Sequence, residues 1–424
     1  MAARAAGAAS PLPAGLRQPD RRQHIARLAD VPLSIGSPRA LAVSGPGLLV
    51  VAGEASGDQR AAQLIAALRR RIPDIAPFGL ASQACRAVGV ETIADSHEIA
   101  VVGIAEALRV LPRAAAIFGQ LLAETDRRRP AAALLVDAPD FNLRLARKLA
   151  WRGIPVIYYV SPQVWAWRQG RIRTIADCVA EMLVLFPFEV PFYRRHGVAV
   201  THVGHPLVDE VPLLPQAWDS VPRGTQPERY RIALLPGSRR SEIRALLPTL
   251  LAASAWLSTR IPVQARLILA PSIPRSLVEP VIAASGVPVE IATEDRLAAV
   301  ADSHLALCAS GTATLETGLV RTPMLVCYRL AGPTWTIARR LVRVPHVSLV
   351  NLVLDRRAVP ELLQHDASPS RIAAEALSLL GSRRDIERMR GDLAELRSRL
   401  GDSGASERAA ARLAAWIEGR GRAA

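Results

Sequence analysis

Lysine is almost missing from this chain: among 424 residues it has 53 basic residues, and Lys148 is its single lysine. Arginine codons can be GC-rich, so the bias reads as genomic rather than functional. Aromatic residues are scarce as well, at 4%, which makes any local cluster of them stand out. The four cysteines, Cys85, Cys178, Cys308 and Cys327, lie far apart and form no CxxC or Cys/His spacing. That excludes a disulfide framework or zinc finger and suits reduced thiols in a cytosolic protein. No apolar run reaches the roughly 18 residues of a membrane span, and residues 1–16 lack the apolar core of a secretory signal. Nor is there an Asp-x-Asp pair of the kind that holds a divalent metal on a nucleotide sugar. The expectation is metal-free chemistry with no cofactor.

What is present is apolar and cationic. Hydrophobic residues make up 50% of a chain too long for one core, so two domains are expected. The formal charge of +15 suits an anionic partner, whether nucleic acid, a membrane surface or a phosphorylated substrate. Residues 1–45 mix alanine, arginine and proline without periodicity and read as a disordered basic extension. A transit peptide or a start assigned too early would look the same.

From 46 to 207, apolar runs at 48–51, 131–136, 156–160 and 182–185 alternate with helical stretches. Unbroken apolar strands mean a parallel sheet covered on both faces. After a proline-rich connection at 208–229 the rhythm restarts, with runs at 232–235, 265–269, 305–308 and 324–328 in a second domain spanning 230–368. Residues 369–424 read as amphipathic helices broken by Gly-Asp-Ser-Gly at 401–404. The expected fold is α/β, with two doubly wound Rossmann-like domains facing a cleft and C-terminal helices. Those last helices are a candidate dimer surface.

The first strand runs into VAGEASGD (51–58), a loop of small residues carrying Glu54 and Asp58. Glycine turns after a first strand usually cradle phosphate, and carboxylates would repel it, so this loop suits hydroxyl chemistry. Asp58 is also placed to cap its own helix. In the second half, Ser310-Gly311-Thr312 closes a strand and opens a helix, offering N–H groups to a diphosphate, with Glu316 one turn on for a ribose hydroxyl. A merely capped helix is the plain alternative. Arg239 and Arg240, in LLPGSRRSEI (234–243), reach the same sheet edge and suit a departing diphosphate, or form a solvated basic turn.

The strand ending at Val136 is followed by Asp137 and Asp140. Asp137 suits a helix N-cap and Asp140 a first helical turn, yet a strand's carboxyl end is also where a general base belongs. Four aromatics fall between 158 and 167, as a sugar or acyl floor or a local cluster. His205 reads as a packed hinge residue. Val101, Ile104, Leu108 and Leu111 share one helical face, in a core helix or a membrane-interface helix.

In unbroken order VAGEASGD, GIAEALRVLPR, DAPDFN, YYVSPQVWAW, FPFE, the turn at 193–197, GHPLVD, LLPGSRRSEI, ASGTATLE, TPMLVCYR and VSLVNLV resemble the lipid-A-disaccharide synthase family, over about residues 48–376. The resemblance implies an inverting, metal-independent glycosyltransferase of the GT-B type. Such an enzyme moves 2,3-diacylglucosamine from its UDP-activated form to 2,3-diacylglucosamine 1-phosphate, making a β-1,6 disaccharide 1-phosphate and UDP. By the same resemblance Glu54, Ser56 and Asp140 belong to the acceptor and catalytic side. Arg239, Ser310, Gly311, Thr312 and Glu316 belong to the UDP side, and Asn351 matches a site position grouped with the acceptor side. Asp140 is the first choice for the base, with Asp137 and Glu54 as rivals. Val350 departs from the family, which commonly has proline there.

Substrates of this kind bind the enzyme to a membrane. Acyl burial is worth about 0.8 kcal/mol per methylene, so one long chain resists leaving the bilayer by roughly 10 kcal/mol. Basic residues near anionic lipid add about 1 kcal/mol each. The implied place is the cytoplasmic face of the bacterial inner membrane, as a peripheral enzyme. Two rivals predict otherwise: a soluble relative such as a UDP-N-acetylglucosamine epimerase needs no acyl chains, and a nucleic-acid binder would need a binding module that does not appear.

Overall fold

The computed structural model describes residues 45–98, 104–329, 345–419 and Gly421; for Ala55 and residues 104–110 it describes the backbone alone. Aliphatic runs without polar alternation form the central strands. They are β1 (Gly47–Ala52), β4 (Ala132–Val136), β5 (Val156–Tyr159) and β6 (Glu181–Val184) in the first half, and β8 (Tyr230–Leu235), β11 (Leu305–Ala309) and β12 (Met324–Tyr328) in the second. Shorter or more polar strands flank them: β2 (Ala76–Ala81), β3 (Glu91–Asp95), β7 (Val200–His202), β9 (Val263–Ile268), β10 (Val289–Ala292) and β13 (Glu361–Leu363).

The first sheet has the order β3-β2-β1-β4-β5-β6-β7 and the second β10-β9-β8-β11-β12-β13. Every pairing is parallel, Leu48 lying opposite Ala132 and Leu305 opposite Ile232. Both are Rossmann-like, as the alternating pattern predicts. Because side chains alternate across a strand, Leu48 and Val50 pack under helix Ala55–Arg71, whereas Leu49 and Val51 face helices Ile104–Arg128 and Pro139–Trp151. In each sheet the strand order reverses between the first strand and the fourth. The loops leaving β1 and β4, and those leaving β8 and β11, therefore open at a topological switch point, where open α/β sheets bind ligands.

Residues 208–229, read as a connection, are packed onto the second domain. Leu207, Val208, Val211 and Trp218 enter its core, and the Trp218 indole N–H donates to His304 O at 2.8 Å. The C-terminal helices divide between the two domains. Pro369–Leu380 and Arg383–Arg399 cover the second domain, but Ala405–Ile417 returns to the first, burying Ala409, Ala410, Leu413 and Ala414 beside helix Ala55–Arg71. These apolar faces pack within the chain.

The outgoing and returning crossings lie against each other. His205 N–H donates to Leu400 O at 3.0 Å. The Arg408 guanidinium donates to Val203 O at 2.8 Å, Asp402 O at 2.5 Å and Ser403 O at 2.6 Å, and Asp209 accepts Gly404 N–H at 2.8 Å. Arg60 of the first domain pairs with Glu210 just beyond the crossing, and Gln63 adds a bond of 2.8 Å to the same carboxylate. His205 is buried here with its Nδ1 accepting Leu207 N–H, and burial drives its imidazole pKa down to about 3. It is a packed, neutral hinge residue.

Gly79 in β2 sits at a register shift against β3, with φ of +149°. A Cβ there would lie 2.0 Å from the Val50 carbonyl oxygen, a backbone atom that cannot yield without breaking the central pairing. Gly79→Ala is expected to destabilise the first domain by about 4 kcal/mol or more, read as a lower midpoint of its urea transition. An unchanged midpoint would contradict this packing.

Candidate active site

At the first switch point, the loop after β1 presents Glu54 and the first turn of helix Ala55–Arg71 presents Ser56, both exposed, and the loop after β4 presents Asp137. Asp137 does not cap the following helix, whose N-cap is Ala138. Both residues adopt left-handed backbone, with φ of +51° and +42°. The conformation is held by the Tyr158 hydroxyl, which donates to Asp137 O, and by Asn142 Nδ2, which donates to Val136 O at 3.1 Å and Asp137 O at 2.8 Å. The carboxylate is left free of this scaffolding. Burial first, and the Glu54 charge second, raise its pKa to about 6. Asp58 takes another part: it is buried and accepts Ser82 N–H at 2.7 Å and Ala84 N–H at 2.9 Å, capping helix Gln83–Ala87 rather than its own.

Asp140 stands apart from this pair. Its side chain is 74% exposed and is bound by Arg171 and, at 3.4 Å, by Arg168. A carboxylate open to water and held by two guanidinium groups differs in setting from the partly buried Asp137. The two arginines come from the loop at 160–171, where φ is +62° at Val160 and +53° at Arg168. Of nine left-handed non-glycine residues among those described, Asp137, Ala138, Val160 and Arg168 make four. Each such residue costs about 1–3 kcal/mol, and strain of this kind collects at functional sites.

Glu189 anchors that loop. It is 2% exposed and accepts a bond from Ser161 Oγ, one from Trp165 Nε1 at 3.2 Å, and one from Phe186 N–H at 3.1 Å. Burial outweighs those bonds and raises its carboxyl pKa to about 7. Trp165 meets Phe188 edge-on at 4.9 Å, Phe188 stacks on Phe186 at 5.3 Å, and Phe186 touches His205 at 5.3 Å, so aromatic contacts run from this loop to the hinge. Tyr158 and Tyr159 are core residues and not a pocket floor; of the aromatic cluster only Trp167, at 40%, is notably exposed. Arg168, Arg171 and Glu189 went unassigned in the sequence, although a glutamate closing the apolar run LVLFPF is a visible signal.

The second switch point is cationic. Arg239, exposed, precedes helix Arg240–Ser258, and Glu242 shapes the turn by accepting Ser238 N–H at 2.9 Å and Arg239 N–H at 3.2 Å. Gly311 is the N-cap of helix Thr312–Leu319, with φ of +145° and no atom of the described residues within 4 Å of a Cβ site. That leaves open room at a helix N-terminus, where backbone N–H groups and the dipole favour an anion. Ser310 Oγ donates to Val347 O at 3.1 Å, and Thr312 is exposed. Glu316 is partly buried one turn on, and burial raises its carboxyl pKa.

Asn351 makes its hydrogen bonds within the protein. It lies in the second domain, fully buried, with Nδ2 donating to Val359 O at 2.9 Å and Glu361 Oε1 at 2.8 Å. Its Oδ1 accepts Ala358 N–H and Val359 N–H at 2.9 and 3.0 Å, so no hydrogen-bonding capacity remains for a substrate. Glu361 in turn accepts Val347 N–H at 3.0 Å and Ser348 N–H at 2.8 Å. Asn351 thus positions the segment that touches Ser310.

Of the expected membrane-contact residues, Val101 lies outside the described residues, and Ile104 and Leu108 are described only as backbone in helix Ile104–Arg128. Leu111 is 55% exposed. Further along that helix Ile117 and Leu121 are buried, and Phe118 meets Phe141 edge-on at 5.6 Å. Among the described residues no helix is long and apolar enough to cross a membrane. Nor, among them, do three or more His, Cys, Asp or Glu side chains gather where a metal ion could be held.

The model of a family described as lipid-A-disaccharide synthetase matches residues 48–414. A lipid-A-disaccharide synthase of Myxococcus xanthus is 46% identical over 367 residues, covering 86% of this chain and 96% of that one. One from Geobacter sulfurreducens is 43% identical, covering 86% and 95%. Among solved structures, CalG4, the calicheamicin glycosyltransferase, is similar with a TM-score of 0.55 at 15% identity, covering 88% of this chain and 99% of that one. The S. aureus MnaA–UDP co-structure gives 0.57 at 12%, covering 88% and 96%. At such identities the structures speak for the fold alone.

Glu189 carries a pH prediction. Its carboxyl loses its proton near 4.5 when unfolded and near 7 when folded, so this contribution to stability is complete below about 4.5 and is lost as pH rises through about 7. Compared with Glu189→Gln, the unaltered chain should lose on the order of 3 kcal/mol of stability between pH 5 and 8 in denaturant titrations. Parallel stability curves for the two proteins would refute the assignment.

Proposed function

The chain belongs to the lipid-A-disaccharide synthase family and acts in lipid A biosynthesis, and from that premise we propose how its two switch points divide the reaction. The donor is UDP-2,3-diacylglucosamine and the acceptor 2,3-diacylglucosamine 1-phosphate. The acceptor 6-hydroxyl oxygen forms a bond to the donor anomeric carbon from the face opposite UDP. The bond from that carbon to the diphosphate breaks, its electron pair leaves with UDP, and the configuration inverts to β. The hydroxyl proton passes to Asp137.

One observation carries this reading: the two sheets share a strand order but carry opposite charge at their switch points. A partly buried carboxylate with a pKa raised to about 6, beside Glu54, is matched to removing a proton near neutral pH. Arg239 and the open N-terminus at 310–312 suit the growing charge on the departing diphosphate without a metal ion. Glu316 suits a ribose hydroxyl, and Glu54 and Ser56 suit the acceptor. Exposed Leu111 and the net charge of +15 support peripheral contact with an anionic membrane at the cytoplasmic face.

The test mixes purified protein with both substrates in detergent, with and without chelator. Disaccharide and UDP are expected in both arms; no product in either would refute the reaction, and loss with chelator alone would refute metal independence. Asp137→Asn should lower kcat by about 10²–10⁴ while UDP affinity holds, and an active variant would move the base elsewhere. In the unaltered enzyme kcat/KM should rise with pH through about 6 as Asp137 ionises. Glu54→Gln removes a negative neighbour, so that limb should move to lower pH; a limb that stays fixed would separate the two carboxylates.

A further inference from the structure

Arg168 and Arg171 have no part in the chemistry above, yet the fold places them with care. Arg168 keeps a left-handed backbone, its guanidinium 4.5 Å from the Trp167 ring centre. Arg171 opens helix Arg171–Cys178, and only 21% of its side chain is exposed. Their shared partner is Asp140, three-quarters exposed. An exposed ion pair contributes about 0–1 kcal/mol, too little to account for the strain of the loop that presents it. Two cations against one carboxylate also leave a positive charge in excess.

The neighbourhood says what that excess charge would meet. Asp140 sits in the first turn of helix Pro139–Trp151, three residues after Asp137, so the arginine that binds it lies at the same sheet edge as the base. Trp167 flanks the pair on one side, and Phe141, next to Asp140, packs on helix Ile104–Arg128 on the other. The site therefore joins a base, a cationic fork and apolar surface. In a glucosamine 1-phosphate the reacting 6-hydroxyl and the phosphate lie on either side of the ring oxygen, so a group binding one stands near a group binding the other.

We propose that Arg168 and Arg171 bind the phosphomonoester of the acceptor, and that Asp140 occupies their fork when that phosphate is absent. Charge-assisted, bidentate geometry is what arginine offers a phosphate and lysine does not. Asp140 then acts as a displaceable counter-ion, keeping the fork assembled and excluding weaker anions. The inference rests on the acceptor named above.

The experiment compares two acceptors in detergent, 2,3-diacylglucosamine 1-phosphate and the same lipid without its phosphate, for the unaltered chain, Arg168→Gln, Arg171→Gln and Asp140→Asn. Each arginine variant should raise KM for the phosphorylated acceptor about 10–100-fold, leave the phosphate-free acceptor little changed, and keep its UDP affinity. Asp140→Asn should lower KM for the phosphorylated acceptor, because the competing carboxylate is gone. Equal losses with both acceptors would overturn the assignment. So would an unchanged acceptor preference together with weakened binding to phosphatidylglycerol vesicles, which would make the pair a reader of membrane headgroups. No product from either acceptor with the unaltered chain would refute the proposed reaction itself, and this assignment with it.

Discussion

The joint at the two chain crossings governs the rest of the molecule. Parallel sheets gather their loops at the carboxyl edges of the strands, and neither edge here holds a complete set of groups for a two-substrate reaction. The crossings at 203–206 and 400–404 are bound together through Arg408, His205 and Asp209, and Arg60 reaches over them to Glu210. Most of these bonds are to backbone groups. A joint built on main-chain atoms fixes the path of the chain while side chains further out remain free to differ.

With the joint fixed, the two edges diverge in charge. The first gathers carboxylates in small-residue loops, where burial and mutual repulsion make one of them hold its proton more tightly. The second keeps its helix N-terminus clear of acid and open in front of Gly311. Support behind each edge is polar: Asn142 and Tyr158 behind Asp137, Asn351 and Glu361 behind Ser310.

The central strands were legible because burial on both faces demands unbroken aliphatic runs, as in β4 and β11. Strands β3, β7, β10 and β13 were not, since edge or short strands carry polar residues and their sequences ETIAD, VTH, VEIA and ELL signal little. Strand β2 was hidden by its own proline and glycine. At the site, the motifs located both loops but could not rank Asp137 against Asp140, because burial and the arginines that claim Asp140 come from residues about thirty positions away. The bonds of Asn351 were illegible for a similar reason: a motif match identifies a residue near a cleft without showing that all its bonds point inward.

Helix Ala405–Ile417 has a consequence for synthesis. The first domain's sheet is finished by residue 202, but the surface formed by Ala61, Leu64 and Leu68 waits for a helix that begins only at Ala405. At about 5–20 residues per second, the ribosome takes roughly 10–40 seconds to supply it. During that interval the nascent domain carries an uncovered apolar groove, and the second domain must fold while still tethered to it. Synthesis of that helix therefore locks the two halves in one late event, so a chain stopped before Ala405 would yield two nearly whole domains and no stable enzyme.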